Sequence, residues 1–180
     1  MMTSEPIPSP SSVTENAHNI LLIVDAESIR SRYPAPSLDA SSPTSISDGF
    51  IFFATDDSSQ KKARNDSNIT LPIDIGRIVH LRGRTVSLIA EYSVVVYDMT
   101  IDTSNVLSGL HLEVHPDLTI PAPNPSAPTE PVSQKAHDHF WACTTKASGM
   151  ARLEMNFMLV NQQCEAVGYF RWAANIEVTN

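Results

Sequence analysis

From Arg152 to Phe157 the chain alternates, and Leu159 keeps the same phase. Leu153, Met155, Phe157 and Leu159 are apolar, and Arg152, Glu154 and Asn156 fall between them. A period of two marks a strand with one buried face, so Phe157 should point into a core and Asn156 away from it. Shorter apolar segments recur at Ile20–Val24, Phe50–Phe53, Ile78–Leu88, Tyr92–Tyr97, Leu110–Val114, Val167–Trp172 and Ile176–Val178. Ile20–Val24 is unbroken and rich in β-branched residues, which predicts a strand buried on both faces. Asp25-Ala26-Glu27-Ser28 ends it, and no segment shows the spacing of an amphipathic helix. About eight strands without helices close most naturally into a two-layer antiparallel β-sandwich, of which the jelly roll is one form.

Breakers divide these segments. Residues 30–48 form a Ser/Pro-rich loop in which Pro34, Pro36 and Pro43 exclude helix. Pro116 to Lys135 holds six of the thirteen prolines and is predicted as a second long loop. Loops of that length are functional or wrap a domain in extended polyproline form. Gly83 predicts a bulge in the Ile78–Leu88 strand, and the short Ile89-Ala90-Glu91 link predicts a hairpin to the next strand. Residues 1–17, rich in Ser, Pro, Thr and Glu, have almost nothing to bury and are predicted as a disordered tail. Residues 18–180 then make one β-sandwich domain.

Charge narrows the partners. The chain of 180 residues carries a formal charge of −8 and a pI near 5.1. A general nucleic-acid binder needs a basic face, so nucleic acid is not expected as a partner. Lys61, Lys62 and Arg64 read as a solvated loop. The N-terminus MMTSEPIPSPSS has neither the basic nor the apolar region of a signal peptide, and no apolar run is long enough to span a bilayer. The expectation is a cytoplasmic protein with no membrane partner, in which Cys143 and Cys164 stay reduced.

Three groups of side chains invite a chemical reading. His111, Glu113 and His115 share one strand face, but the two histidines lie roughly 13 Å apart at Cα, too far for one straight strand to bring both to a zinc ion. His137 and His139, at i and i+2, have better spacing. A cupin-like metal enzyme would also need a later histidine, and none follows His139. Asp56, Asp57, Asn65, Asp66 and Asn68 offer oxygen ligands of the kind calcium takes. Beside an aromatic platform such as Trp141 or Trp172 they could bind a sugar, although Asp and Asn are also the usual turn formers. No nucleophile elbow, P-loop or dinucleotide fingerprint occurs. No catalytic residue and no cofactor are therefore assigned.

Several segments in order carry a resemblance: ILLIVDAESIRSRYP at 20–34, NDSNITLPIDIGRIVHLRGRTVSL at 65–88, YSVVVYDM at 92–99, IPAPNPSAPTEP leading to HFW at 120–141, and RLEMNFMLV leading to GYFRWAANIEV at 152–178. Together they resemble the AidA/PixA family of bacterial inclusion-body proteins. The chain departs from it at Ala173-Ala174, where the family favours Asp-Pro. The resemblance implies a non-enzymatic cytoplasmic protein that self-associates or accumulates in inclusions, in stationary-phase or quorum-controlled bacteria that live with hosts. A homo-oligomer is the expected partner. Asp25, Asn65 and Asn68 match recurrent family positions and, with Trp141 and Trp172, are the candidate ligand-binding residues. The competing readings are a lectin-like carbohydrate module, calcium-assisted or not, and a metal-dependent cupin-like enzyme.

Overall fold

The structure, a computed structural model, describes residues 17–47, 49–55, 68–86, 91–102 and 105–179. The expected tail up to residue 16, the Lys61–Arg64 cluster, and Asp56, Asp57, Asn65 and Asp66 lie outside those residues. The described chain contains β1 (His18–Val24), α1 (Ala26–Arg32), β2 (Thr44–Ser45), β3 (Ile51–Thr55), β4 (Asn68–Pro72) and β5 (Ile78–Thr85). It continues with β6 (Ser93–Ile101), β7 (Leu107–Ala122), β8 (Val132–Thr145), β9 (Gly149–Val160) and β10 (Ala166–Thr179). One sheet has the order β3-β1-β5-β8-β7. The other runs β2-β10-β9-β6, with β4 also pairing along β10. This is the two-layer all-β sandwich that the alternation predicts. Both sheets are mixed: β1 runs parallel to β5, and β10 runs parallel to β2 and β4.

The core lies between the sheets. Ile20, Leu22 and Val24 of β1 enter it from one side. Leu153, Met155, Phe157 and Leu159 of β9 enter from the other, each with no exposed surface. Phe157 stacks on Phe170 of β10, with ring centroids 5.5 Å apart. Asn156 points away from the core, as its register requires, but it too is buried. Its amide donates to Asp98 Oδ2 at 2.8 Å and its carbonyl accepts from Arg171 Nε at 3.2 Å.

Several expectations need correction. First, β1 is buried on one face only. Leu21 is 36% exposed and Ile23 half-buried, because no described layer covers the outer side of the first sheet. The apolar run persists because Leu21 and Ile23 lie beside Ala54 and Phe52 of β3. Second, a short helix follows β1. Asp25 caps it, accepting from Ser28 N at 3.0 Å, and Glu27 in the first turn and Arg30 and Arg32 in the last suit its dipole. Seven residues are too few to show helical periodicity.

Third, Gly83 is not a bulge. It pairs in continuous register with Leu22, and a Cβ there would lie 2.6 Å from Val96 Cγ2 of the facing sheet. Close approach between the layers is what demands glycine. The hairpin expected after β5 is also absent, since β5 and β6 belong to different sheets.

Fourth, Pro116–Lys135 is mostly strand. β7 and β8 pair antiparallel from Leu107↔Thr145 out to Ala122↔Val132. β8 pairs with β5 only over Trp141–Thr144, so the outer half of the β7–β8 ribbon extends past β5 as an arm. Pro116 falls at a register shift between His115 and Leu118, where Asp117 has φ 61°, and Pro121 lies on the edge strand. Both are places where a missing N–H costs the ladder little.

Candidate functional site

The outer face of the first sheet gathers polar and aromatic side chains without a covering layer among the described residues. The pleat puts His80, Arg82 and Arg84 of β5, Asp138, Phe140 and Ala142 of β8, and His111, Glu113 and His115 of β7 on that face. Their cross-strand rows are regular. Glu113 lies opposite Phe140 and His115 opposite Asp138.

Asp138 is the electrostatic centre. Its Oδ2 accepts from Arg82 Nε at 3.2 Å and Nη2 at 3.0 Å, and its Oδ1 accepts from Arg84 Nη2 at 2.9 Å. Arg82 also donates from Nη1 to Asn19 Oδ1 of β1 at 2.9 Å. Burial pushes the Asp138 carboxyl up, but the hydrogen bond and charge of Arg82, with the charge of Arg84, outweigh it and hold it below its ordinary value. A shallow depression of about 220 Å³ flanks Arg82, lined by Asn19, Ile20, Leu21, Ala54 and Thr55.

Phe140 is only 5% exposed although it faces outward. The His80 ring lies 4.1 Å from its centroid, the His115 ring stacks at 5.3 Å, and the Arg82 guanidinium sits 4.5 Å over it. Burial lowers the His80 imidazole below its ordinary value and Arg82 adds to the effect. Glu113 bridges the two histidines beside it: Oε1 lies 3.1 Å from His111 Nε2 and Oε2 3.2 Å from His115 Nε2. A hydrogen bond to the Gly109 carbonyl, followed by the one to Glu113, raises His111. Among the described residues no three His, Cys, Asp or Glu side chains converge as a metal-binding group.

His137 is exposed and His139 half-buried on the other side of β8, while Asp138 between them turns to the arginines. Burial and Arg84 lower the His139 imidazole. The four candidate residues that are described do not come together. Asp25 caps α1. Trp141 faces the interior of the first sheet and donates from Nε1 to the Val96 carbonyl across the sandwich at 3.4 Å. Trp172 is 2% exposed in the core. Asn68 lies on the outer side of the second sheet, accepting from Asn175 Nδ2 at 3.2 Å. Asn65 is outside the described residues.

The arm carries the other unusual surface. Beyond the register shift at Pro116–Asp117, Leu118 and Ile120 of β7 and Val132 of β8 fall on one ribbon face, with exposures of 37%, 39% and 45%. Sequence reading placed these residues in a loop and so gave them no face. The Leu118-Thr-Ile120 alternation beside the prolines was the available signal.

A family model described as PixA, inclusion body protein, matches residues 16–178. Among solved structures, the crystal structure of an inclusion body protein (PixA) from Burkholderia cenocepacia J2315 is similar, with a TM-score of 0.73. The likeness covers 91% of this chain and 96% of that one at 18% identity, a level that speaks for the fold alone. No functionally curated protein matches significantly.

Proposed function

The chain belongs to the PixA family of inclusion body proteins, and on that premise we propose that it is a non-enzymatic, self-associating protein that accumulates to high concentration in the cytoplasm. The observation that carries this reading is the β7–β8 arm. A two-stranded ribbon is marginally stable alone, and more strands or a packed face are needed to secure it. This ribbon leaves its sheet neighbours and presents Leu118, Ile120 and Val132 to solvent. Contact with another chain removes that apolar surface from water and fixes the ribbon at once. The charge of −8 opposes indiscriminate aggregation, so association is confined to surfaces that match.

The polar face supports the same reading. Its carboxylates are already engaged: Asp138 holds both arginines and Glu113 lies within hydrogen-bond distance of both histidines. Such groups are positioned rather than poised, which suits recognition better than proton transfer. Light scattering of purified protein from micromolar to millimolar concentration tests the proposal. The expected result is a weight-average mass that rises with concentration. A monomer mass throughout would refute it.

A further inference from the structure

We propose that two copies of this chain join through the open edge of β8 in the arm, antiparallel and centred on Gln134, so that their ribbons become one sheet in the order β7-β8-β8-β7. The inference rests on the self-association reading above and says which backbone groups make the contact. Three observations carry it.

The first is that the β8 edge is open and unguarded. Thr145 N donates to the Arg77 carbonyl at 3.0 Å and the Thr145 carbonyl accepts from Gly76 N at 2.8 Å, so both backbone groups point to the β5 side. Lys146 N donates to the Val106 carbonyl at 2.7 Å, on the β7 side. Backbone groups alternate between the two neighbours along an antiparallel strand. Both register shifts of the β7–β8 ladder put their extra residue in β7, so the alternation in β8 runs unbroken into the arm. The backbone N–H and C=O of Ser133, Lys135 and His137 therefore point to the β5 side. Pairing there stops at Leu81↔Trp141 although β5 runs on to Thr85, so the ribbon has turned away from β5. No described strand lies beside those groups. Bulges, prolines and outward lysines are the usual guards of an edge. Here Pro116, Pro121 and both bulges belong to β7. The Lys135 amine also turns back to β7, donating to the Asp117 carbonyl at 3.1 Å and to Thr119 Oγ1 at 3.0 Å.

The second is register. A two-fold axis normal to the sheet, with Gln134 opposite Gln134, lets Ser133 of each copy exchange both backbone hydrogen bonds with Lys135 of the other. Such an axis keeps like faces on one side. On the apolar face Val132 then lies opposite Ala136, and the two Gln134 amides, each both donor and acceptor, lie opposite each other. On the polar face Lys135 meets Ser133. Sliding one copy by two residues would set Lys135 against Lys135, a destabilising like-charge pair. The strand is its own complement in this register, which points to an identical partner.

The third is what the pairing does for the arm. Val132, Gln134 and Ala136 share a face with Ala122, Ile120 and Leu118, their partners on β7. A two-stranded ribbon is marginal in water, and three or more strands with an apolar face are stable. Edge pairing carries both ribbons past that limit in one step and fuses their apolar faces into one. The overlap, residues 132–136 of each copy, is smaller than a standard interface, so the pair forms at the high concentration that the self-association reading supposes.

Two measurements on the full chain test the proposal. The first is sedimentation equilibrium of Ser133→Pro, at an exposed position. The substitution deletes an edge-pointing donor and leaves the β7–β8 ladder its bonds. It should raise the dimer dissociation constant about tenfold or more with the melting curve unchanged. The second is disulfide trapping with oxidised glutathione in a Cys164→Ser background, since Cys164 is exposed. Opposed residues at a non-hydrogen-bonded site have Cα atoms about 4.5 Å apart, within the span of a disulfide. Gln134→Cys should therefore give a covalent dimer. Leu118→Cys, on β7 and three strand spacings or roughly 14 Å from its own copy, should not. If Ser133→Pro disturbs the fold, the trapping pair decides alone. A wild-type chain that associates while Ser133→Pro leaves the constant unchanged overturns this edge and spares the self-association reading. Failure of Gln134→Cys to trap, or equal trapping by Leu118→Cys, does the same. A wild-type chain that stays monomeric overturns both.

Discussion

Replacing Phe157 by alanine tests the register on which the sandwich depends. The ring has no exposed surface and stacks on Phe170 with centroids 5.5 Å apart. Its cross-strand partners are Val96 of β6 and Phe170 of β10, so it lies at the centre of the second sheet. Removing it deletes the transfer free energy of a buried ring and leaves a cavity walled by paired strands that cannot close. Phe→Ala in such a site costs about 3–5 kcal/mol. A domain has only about 5–15 kcal/mol in total, so about a fifth of the margin or more goes. At about 2–4 °C per kcal/mol for a chain of this size, Tm falls by roughly 6–20 °C. Urea unfolding followed by near-UV circular dichroism gives the free energy, and a calorimetric scan gives Tm. A loss below about 1 kcal/mol with an unchanged denaturant slope would place the ring on a surface and refute the register.

Other consequences follow from particular contacts. Asn156→Ala leaves Asp98 and Arg171 without their buried amide and should cost about 1–3 kcal/mol in urea unfolding, well above the effect of an exposed substitution. Asp138 has a folded-state pKa below its ordinary value of 3.8, so its stabilisation is complete above that value and is lost as pH falls through the lower folded value. The urea midpoint of the wild type should therefore drop on acidification, and Asp138→Asn should flatten that drop while lowering the midpoint at neutral pH. Gly83→Ala drives a methyl into Val96 and should cost about 1–3 kcal/mol by thermal melting. Cys164 is exposed, while burial pushes the Cys143 thiol up to about 12, so a thiol reagent should modify one cysteine in the native protein and the second only on unfolding.

The chain announces its strands where one face is buried and the other wet. The 152–159 alternation fixes β9 and the burial of Phe157, because a period of two with polar intervals has one interpretation. Three features escape that logic. Parallel pairing of β1 with β5 joins segments more than fifty residues apart, and alternation within a strand carries no information about its neighbour. The α1 helix is shorter than any useful window, so Asp25 appeared as a polar residue ending a strand instead of a cap. The arm was hidden by its prolines. Their usual meaning is loop, and they are tolerated here because Pro116 sits at a bulge and Pro121 on an edge strand. Asn156 shows the limit of face assignment: its direction is legible, but the Asp98 and Arg171 contacts that bury it come from strands 58 and 15 residues away.

The two outer faces of the sandwich are not alike, and the difference bears on function. On the second sheet the outward positions mix Asp98, Thr100, Glu154, Asn156, Arg171, Asn175 and Glu177, tied by the Arg171–Glu154 pair at 3.3 Å and the Asn156 hydrogen bonds, with Val95, Met150, Met158 and Tyr169. On the first sheet the outward positions include Leu21, Ile23, Phe52 and Phe140 on the body and Leu118, Ile120 and Val132 on the arm. Folding alone does not require those residues, because the core between the sheets is already closed by the opposite faces of the same strands. The run Ile20–Val24, which by sequence alone signalled burial on both faces, is therefore informative after all. Its inner half is satisfied by folding, and its outer half lies on the part-exposed outer face of the first sheet. An apolar outward position is stable in water only at a cost of roughly 25 cal/mol per Å² left exposed, and association is the process that removes it.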